Sequence, residues 1–389
     1  MRAEQFSENT WGRLTRVGSG KDGYWAYVPY PLPPPLEYDP ALVNTLSEAD
    51  RALGELAGLG RALPNPYLLA RPLTAREAVL SSRIEGTQAD LLDLYAFEAG
   101  QPALPGFEIA RDAREVHQYI QAMEHALSRL QELPISLRLI RETHAVLMAD
   151  LREGYAAPGE FRAVQNWIGA PGSPISEARF VPPPPDEMHQ CLHQLEAYLH
   201  ADDAHPPLVR LALIHYQFEA IHPFFDGNGR IGRLLIILLM VHWGLLPSLM
   251  LYLSEYFERH RQDYYDLLLT VSTHGHWRDW LQFFLDGVRE QSLRAVETLR
   301  ALQALQDDWR ARVENAKLRS RVVARALDLL LEHPVLTARM LQQAAGCSHV
   351  AANSALAELT RLGVLTVQGT PRRRRFIAHE MLRLLQPPM

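Results

Sequence analysis

A mostly α-helical protein that carries one β-hairpin and ends in a small winged-helix domain is what this sequence predicts. Three observations carry that reading. Apolar residues recur at helical spacing along most of the 389 residues. The rhythm breaks between 159 and 185, where Gly, Pro and Ser separate two short strand-like runs. The charge then changes sign along the chain: residues 318–389 hold 10 Arg, no Lys and four acids, a net +6, against −12 for residues 1–317.

The elements follow in order. The stretch 24–40 (YWAYVPYPLPPPLEYDP) is proline-rich, which denies helix and favours an extended polyproline-like path. Helical patterning runs over 40–63. A second helix is marked by Thr74 and Glu77 as a capping box and by Gly86 as its left-handed cap, placing it at about 74–86. Helices at 108–132 and 135–152 lead to the hairpin, with strands at 162–168 and 178–181. Further helices are expected at 186–202, 206–220, 228–244, 254–271 and 275–310. Helices at 319–332, 338–345 and 349–362, then the runs VLTVQG and TPRRRRFIA, make the winged helix-turn-helix pattern. The domain boundaries expected are an N-terminal segment 1–107, a core 108–290, a linker helix 291–317 and a tail domain 318–389.

Composition excludes several classes. With 47% hydrophobic and 22% charged residues the chain reads as globular, neither disordered nor collagen-like. A net charge of −6 excludes a uniformly basic nucleic-acid binder. Two distant cysteines, Cys191 and Cys347, supply no zinc spacing or disulfide framework. The longest apolar run, 234–241, is eight residues where a membrane span needs about 20. No apolar leader opens the chain, so the expected location is the cytoplasm, with no membrane partner.

The chemistry concentrates in HPFFDGNGRIGR, residues 222–233. Gly227 and Gly229 bracket Asn228 where a loop enters an apolar helix, so the backbone can turn tightly against a ligand. The first turn of that helix offers free N–H groups and a positive dipole end, an anion site. Arg230 and Arg233, three apart, lie on one face and can make bidentate contacts to phosphate. Asp226 is a hard oxygen ligand suited to Mg²⁺ on phosphates. His222 titrates near neutrality and suits a general base. No Gly-Lys-Ser/Thr follows, so this is not a Walker loop.

These residues resemble the Fic family signature HPFx(D/E)GNGRxxR, with all nine specified positions matched: His222, Pro223, Phe224, Asp226, Gly227, Asn228, Gly229, Arg230 and Arg233. The likeness covers roughly residues 20–290 and implies a Fic-like helical core with the hairpin as its flap. It further implies transfer of AMP from ATP to a Ser, Thr or Tyr hydroxyl of a target protein or of the chain itself, with pyrophosphate released. His222 would deprotonate the hydroxyl, and Asp226 would hold Mg²⁺ on the α- and β-phosphates. Gly227 to Gly229 would cradle those phosphates, Arg230 would contact the phosphate chain, and Arg233 the γ-phosphate.

A second motif, SSRIEG at 81–86, resembles the family's inhibitory helix motif (S/T)xxxE(G/N) at Ser81, Glu85 and Gly86. The resemblance implies that Glu85 pairs with Arg233, occupies the γ-phosphate position and holds the enzyme down. A carboxylate in a last helical turn otherwise faces the negative dipole end, at a cost of about 0.3–1 kcal/mol. The segment 256–272 resembles the one lining the adenosine pocket, which makes Tyr265 the residue expected to pack on the base; Ser272 stands where some members have Asn. The flap edge would take an extended target segment by strand addition.

Elsewhere, His189 and His193 at i, i+4 lack a third ligand and read as exposed helix histidines. In the tail, Ser348 would cap a recognition helix presenting His349, Asn353 and Ser354, and Arg372 to Arg375 would form a phosphate-touching wing on DNA. The same fold serves protein docking or a homodimer. Two rival functions remain open at this point: the same scaffold transferring UMP, GMP, phosphate or phosphocholine, and a transcription regulator whose Fic-like part senses nucleotide. The base at His222 speaks against the second, since binding alone needs none.

Overall fold

The structure, a computed structural model, describes residues 1–20, 23–63, 66–100, 107–149, 157–170, 172–370 and 374–386; of 66–69 and 107–109 it describes only the backbone. The chain is mostly helical and divides into two compact units. The first comprises Met1–Leu53, Gln121–Leu245 and Tyr256–Glu290, and the second Gly54–Ile120, Leu246–Glu255 and Gln291–Met389.

The first unit opens with an antiparallel hairpin. Strand β1 (Gly12–Val17) pairs with β2 (Tyr24–Pro29) from Gly12 opposite Pro29 to Val17 opposite Tyr24. This corrects the polyproline expectation for 24–29. The aromatic and β-branched residues there find a partner strand in 12–17, and the prolines begin only where the strand ends. The expected hairpin at 162–181 is not a ladder. Among the described residues it reduces to one antiparallel bridge, Ile168 with Phe180. Gly169 to Ser176 is too rich in Gly, Pro and Ser to continue pairing.

Helices α5 (Leu137–Leu147), α6 (Pro185–Leu199), α7 (Pro207–Ile221) and α8 (Asn228–His242) pack around the signature. Prolines 185 and 207 occupy first-turn positions, where a missing N–H costs nothing. Almost every residue of α7 and α8 is buried, the mark of core helices apolar on all sides. Trp280, fully buried on α11 (Trp277–Asn315), donates its indole N–H to the carbonyl of Ala212 at 2.9 Å and ties α11 to α7. Helices α9 (Ser254–Arg259) and α10 (Arg261–His274) replace the single helix expected over 254–271.

In the second unit, α2 runs Pro66–Ile84, so the Thr74–Glu77 capping box is not a helix start. Thr74 lies mid-helix, where its hydroxyl donates back to the carbonyl of Ala70 at 3.1 Å. Glu77 is 1% exposed and accepts from Tyr119 and Ser254 at 3.2 and 2.5 Å. A real capping box sits at Asp90–Asp93, opening the short helix α3 (Leu91–Glu98), which the sequence pattern did not reveal. The tail holds α12 (Arg321–Glu332), α13 (Ala338–Ala345) and α14 (His349–Arg361), each with a hydroxyl N-cap at Ser320, Thr337 and Ser348. A three-stranded antiparallel sheet in the order β3 (Val335–Leu336), β5 (Arg375–Ile377), β4 (Thr366–Gln368) follows, one strand more than expected. A last helix, α15 (His379–Leu385), packs with α12 against α2. Trp309 and Arg312 both donate to Glu380 at 2.9 Å, which fastens α15 to the end of α11. Arg372 and Arg373 lie outside the described residues.

Candidate active site

The site begins where α7 ends. His222 caps that helix in the left-handed region (φ 49°, ψ 61°), its N–H donating to the Phe218 carbonyl at 3.0 Å. A non-glycine residue there bears about 1–2 kcal/mol of strain. Pro223 follows, and a residue before proline avoids helical conformations. The backbone is held all the same, because buried donors grip its carbonyls one after another.

Arg162 donates to the carbonyls of His222 (2.9 Å) and Ile221 (3.5 Å), and its own N–H to that of Pro223 (2.9 Å). Asn166 and Asn228 both donate to Phe224 O, at 2.9 and 2.8 Å, and Asn228 Oδ1 accepts from Phe224 N at 2.8 Å. His144 takes the next carbonyl, Asp226 O, at 3.1 Å. Its other nitrogen, Nδ1, accepts from Gly159 N at 2.9 Å, so Nε2 carries the proton and donates. The His144 ring stacks on Phe224 at 3.7 Å and 7°. Burial pushes the His144 imidazole down to about 4, and the nearby Arg230 charge adds to this against the Asp226 carbonyl and carboxylate. The ring is therefore neutral at physiological pH and acts as a brace.

The chain then enters α8 through Gly227, whose φ of 78° suits glycine and whose added Cβ would stand 3.2 Å from Met148 Sδ. The first-turn N–H groups of α8 have no acceptor inside the helix, which makes that turn an anion site. Asp226 stands above them with its carboxylate 63% exposed, one oxygen accepting from Gly227 N at 2.6 Å and lying 3.7 Å from Arg230. Mg²⁺ bound with nucleotide needs only one or two carboxylates besides phosphates and water, so this donor set fits it. Arg230 and Arg233 are 4% and 2% exposed, which excludes the ordinary solvated helix face. Behind them, burial pushes His215 down to about 3, the Arg233 charge adding, and His215 Nε2 meets the Tyr264 hydroxyl at 2.8 Å.

The structure therefore brings His222, Asp226, Gly227, Asn228, Gly229, Arg230 and Arg233 into one loop-and-helix unit. The side chain of Asn228 is used to close the loop on Phe224, leaving its backbone for a ligand. Ser81 and Glu85 belong to the other unit. Ser81 is fully buried on α2; Glu85 is exposed in the turn after it, with Glu85 N donating to Ser82 O at 3.0 Å and Gly86 adopting φ 110°. Tyr265 is half-buried, its ring 5.2 Å from Tyr264 and under the Arg261 guanidinium at 5.8 Å. Ser272 is buried and bonded to Tyr216 at 2.9 Å, which makes it part of the core. His189 and His193 are exposed, and no cluster of three or more metal-ligating side chains occurs among the described residues. No helix of the described residues is long and apolar enough to cross a membrane.

Sequence reasoning missed His144, Arg162 and Asn166. One signal was present: His144 lies on the apolar face of α5 with Leu139, Ile140, Thr143 and Leu147, a poor place for an idle imidazole. Arg162 and Asn166 sit in a loop without periodicity and left no such mark.

The sequence matches the Fic/DOC family N-terminal domain over residues 43–128 and the Fic/DOC family domain over residues 134–240. It is 27% identical over 241 residues to a Protein adenylyltransferase Fic of Culex quinquefasciatus, covering 59% of this chain and 42% of that one. It is 31% identical over 212 residues to its namesake in Drosophila grimshawi, covering 52% and 39%. The chain thus spans about two fifths of the length of these relatives. Among solved structures, a Fic family protein from Desulfovibrio desulfuricans shares the fold at a TM-score of 0.57 and 22% identity, over 89% of this chain and 98% of that one. A Fic domain containing signaling protein from Bacteroides thetaiotaomicron does so at 0.52 and 20%, over 66% and 95%.

Proposed function

The chain belongs to the Fic/DOC family, and from that premise we propose that it transfers AMP from ATP to a hydroxyl side chain of a protein. The observation that carries this is the single loop in which His222, the exposed Asp226 carboxylate and the open first turn of α8 stand together. The target's Ser, Thr or Tyr oxygen attacks the α-phosphorus while its proton passes to the His222 imidazole. The bond from the α-phosphorus to the bridging oxygen breaks, and pyrophosphate leaves. Asp226 is the residue to hold Mg²⁺, which neutralises phosphate charge when bound. The N–H groups at Asn228 and Gly229, with Arg230 and Arg233, take the phosphate oxygens, and the flap near Ile168 and the ring of Tyr265 serve target and adenine.

We further propose that Glu85 restrains the reaction by pairing with Arg233 in place of the γ-phosphate. Arg233 is buried and its guanidinium cannot serve a carboxylate and a triphosphate together. The tail, with +6 of charge and α14 exposed at His349, is read as a winged helix that binds DNA. Lysate incubated with Mg·ATP labelled at the α- or the γ-phosphate tests the reaction. Label retained on protein only from the α-position supports AMP transfer. Retention only from the γ-position contradicts it and favours phosphate transfer on the same scaffold.

A further inference from the structure

Arg162 is 4% exposed, and among the described residues no carboxylate acts on its charge. Among the described residues every acceptor of its guanidinium is a backbone carbonyl: His222 at 2.9 Å, Val164 at 3.3 Å, Pro183 at 2.5 Å and Ile221 at 3.5 Å. Burial pushes the guanidinium down to about 10, so it remains a cation at any physiological pH. A buried cation without a counter-charge is costly unless its surroundings are arranged for it. Here they are. Ile221 and His222 end α7, where carbonyls lack donors inside the helix and the dipole end is negative. The rigid fork of five N–H groups reaches several carbonyls at once in a fixed geometry, where a lysine offers three donors from a single nitrogen.

We propose that Arg162 is a positioning residue that holds His222 in its left-handed conformation and so fixes where the imidazole stands relative to the anion site. This rests on the reading of His222 as the base. Two features make the role local. His222 sits in a conformation that is unfavourable for histidine and worse before proline, so something outside the loop must maintain it. Downstream, the carbonyls of Phe224 and Asp226 are held by Asn166, Asn228 and His144, which do not depend on the Arg162 side chain. Loss of the guanidinium therefore releases the base and leaves the phosphate cradle in place.

The experiment compares Glu85→Gly, which lacks the proposed restraint, with the same protein carrying Arg162→Met or Arg162→Lys in three measurements: the crystal structure, Mg·ATP affinity by calorimetry, and the turnover of labelled AMP transfer. In Arg162→Met, His222 should leave the left-handed region and turnover should fall about 100-fold, the usual consequence of an ångström-scale misplacement. ATP affinity should stay within about threefold. Arg162→Lys, which keeps the charge and part of the donor set, should regain a large part of the turnover and remains informative if Arg162→Met does not fold. The inference is overturned if His222 keeps its conformation in the variants, if turnover is unchanged, or if ATP affinity falls in step with turnover. If Glu85→Gly alone transfers no AMP, the proposed function fails, while the conformation of His222 in the variants still decides the role of Arg162.

Discussion

Acidification from pH 7 to pH 5 should destabilise this protein through two imidazoles that the fold keeps neutral. His144 and His215 are 2% and 1% exposed, and burial pushes them from an ordinary value of 6.5 down to about 4 and about 3. Because the folded values lie below the unfolded one, the unfolded chain binds more protons between them. Stability is fully present above about pH 6.5 and is lost as pH falls toward the folded values. For each ring the loss between pH 7 and pH 5 is about 2 kcal/mol, a total of about 4 kcal/mol. Glu98, held at about 2 by Arg71, His117 and His333 against the cost of its burial, titrates below this window and does not compete. Replacing His144 by Gln keeps a donor for the Asp226 carbonyl but takes the acceptor away from the Nδ1 position that serves Gly159 N and loses the stack on Phe224, costing about 2–4 kcal/mol at pH 7. It also removes one titrating ring, so the loss between pH 7 and pH 5 should shrink by about half. Urea unfolding followed by circular dichroism at pH 7, 6 and 5, for wild type and His144→Gln, reads both quantities. An identical pH dependence in the two proteins would refute the claim that His144 is buried neutral.

The remaining expectations are narrower. Glu85→Gly should raise AMP transfer, self-labelling included, whereas Arg233→Ala and the double variant should stay weak, since no guanidinium remains to orient the triphosphate; equal activity of wild type and Glu85→Gly in a labelled-ATP assay contradicts the restraint. Gly227→Ala should lower stability by about 1–2 kcal/mol, because alanine disfavours φ 78°, and should weaken ATP binding through the displaced first turn of α8; thermal melts with and without Mg·ATP measure both. If the tail binds DNA, affinity should fall steeply with salt and vanish on truncation after residue 317, and equal retention of truncated and full-length protein on DNA rules the tail out.

The candidate loop was readable because its groups are contiguous: twelve residues carry an imidazole, a carboxylate, glycines and guanidinium groups in fixed order. The long core helices were readable for the same local reason, as with α7, whose prolines and unbroken apolar run mark its start and its burial. What failed was non-local. β1 and β2 exist only because each supplies the other's ladder partner. Thr74 and Glu77 imitate a helix start, yet they answer to Ala70, Tyr119, Ser254 and Tyr252 inside a longer helix. The flap strands were marked by composition, but the turn chemistry between them allows a single bridge. Arg162 and His144 gained their meaning only when distant segments closed around the loop from 221 to 227. Carbonyl groups are anonymous in a sequence, and so are the donors that hold them.

The central claim is that His222 is the base of an AMP transfer at the first turn of α8. It is tested most directly by following α-labelled ATP onto protein with wild type, Glu85→Gly, and Glu85→Gly carrying His222→Ala, with nucleotide binding measured alongside by calorimetry. Loss of the base should cut transfer by about 10²–10⁴-fold while Mg·ATP still binds. Transfer undiminished in the His222→Ala protein would contradict the account.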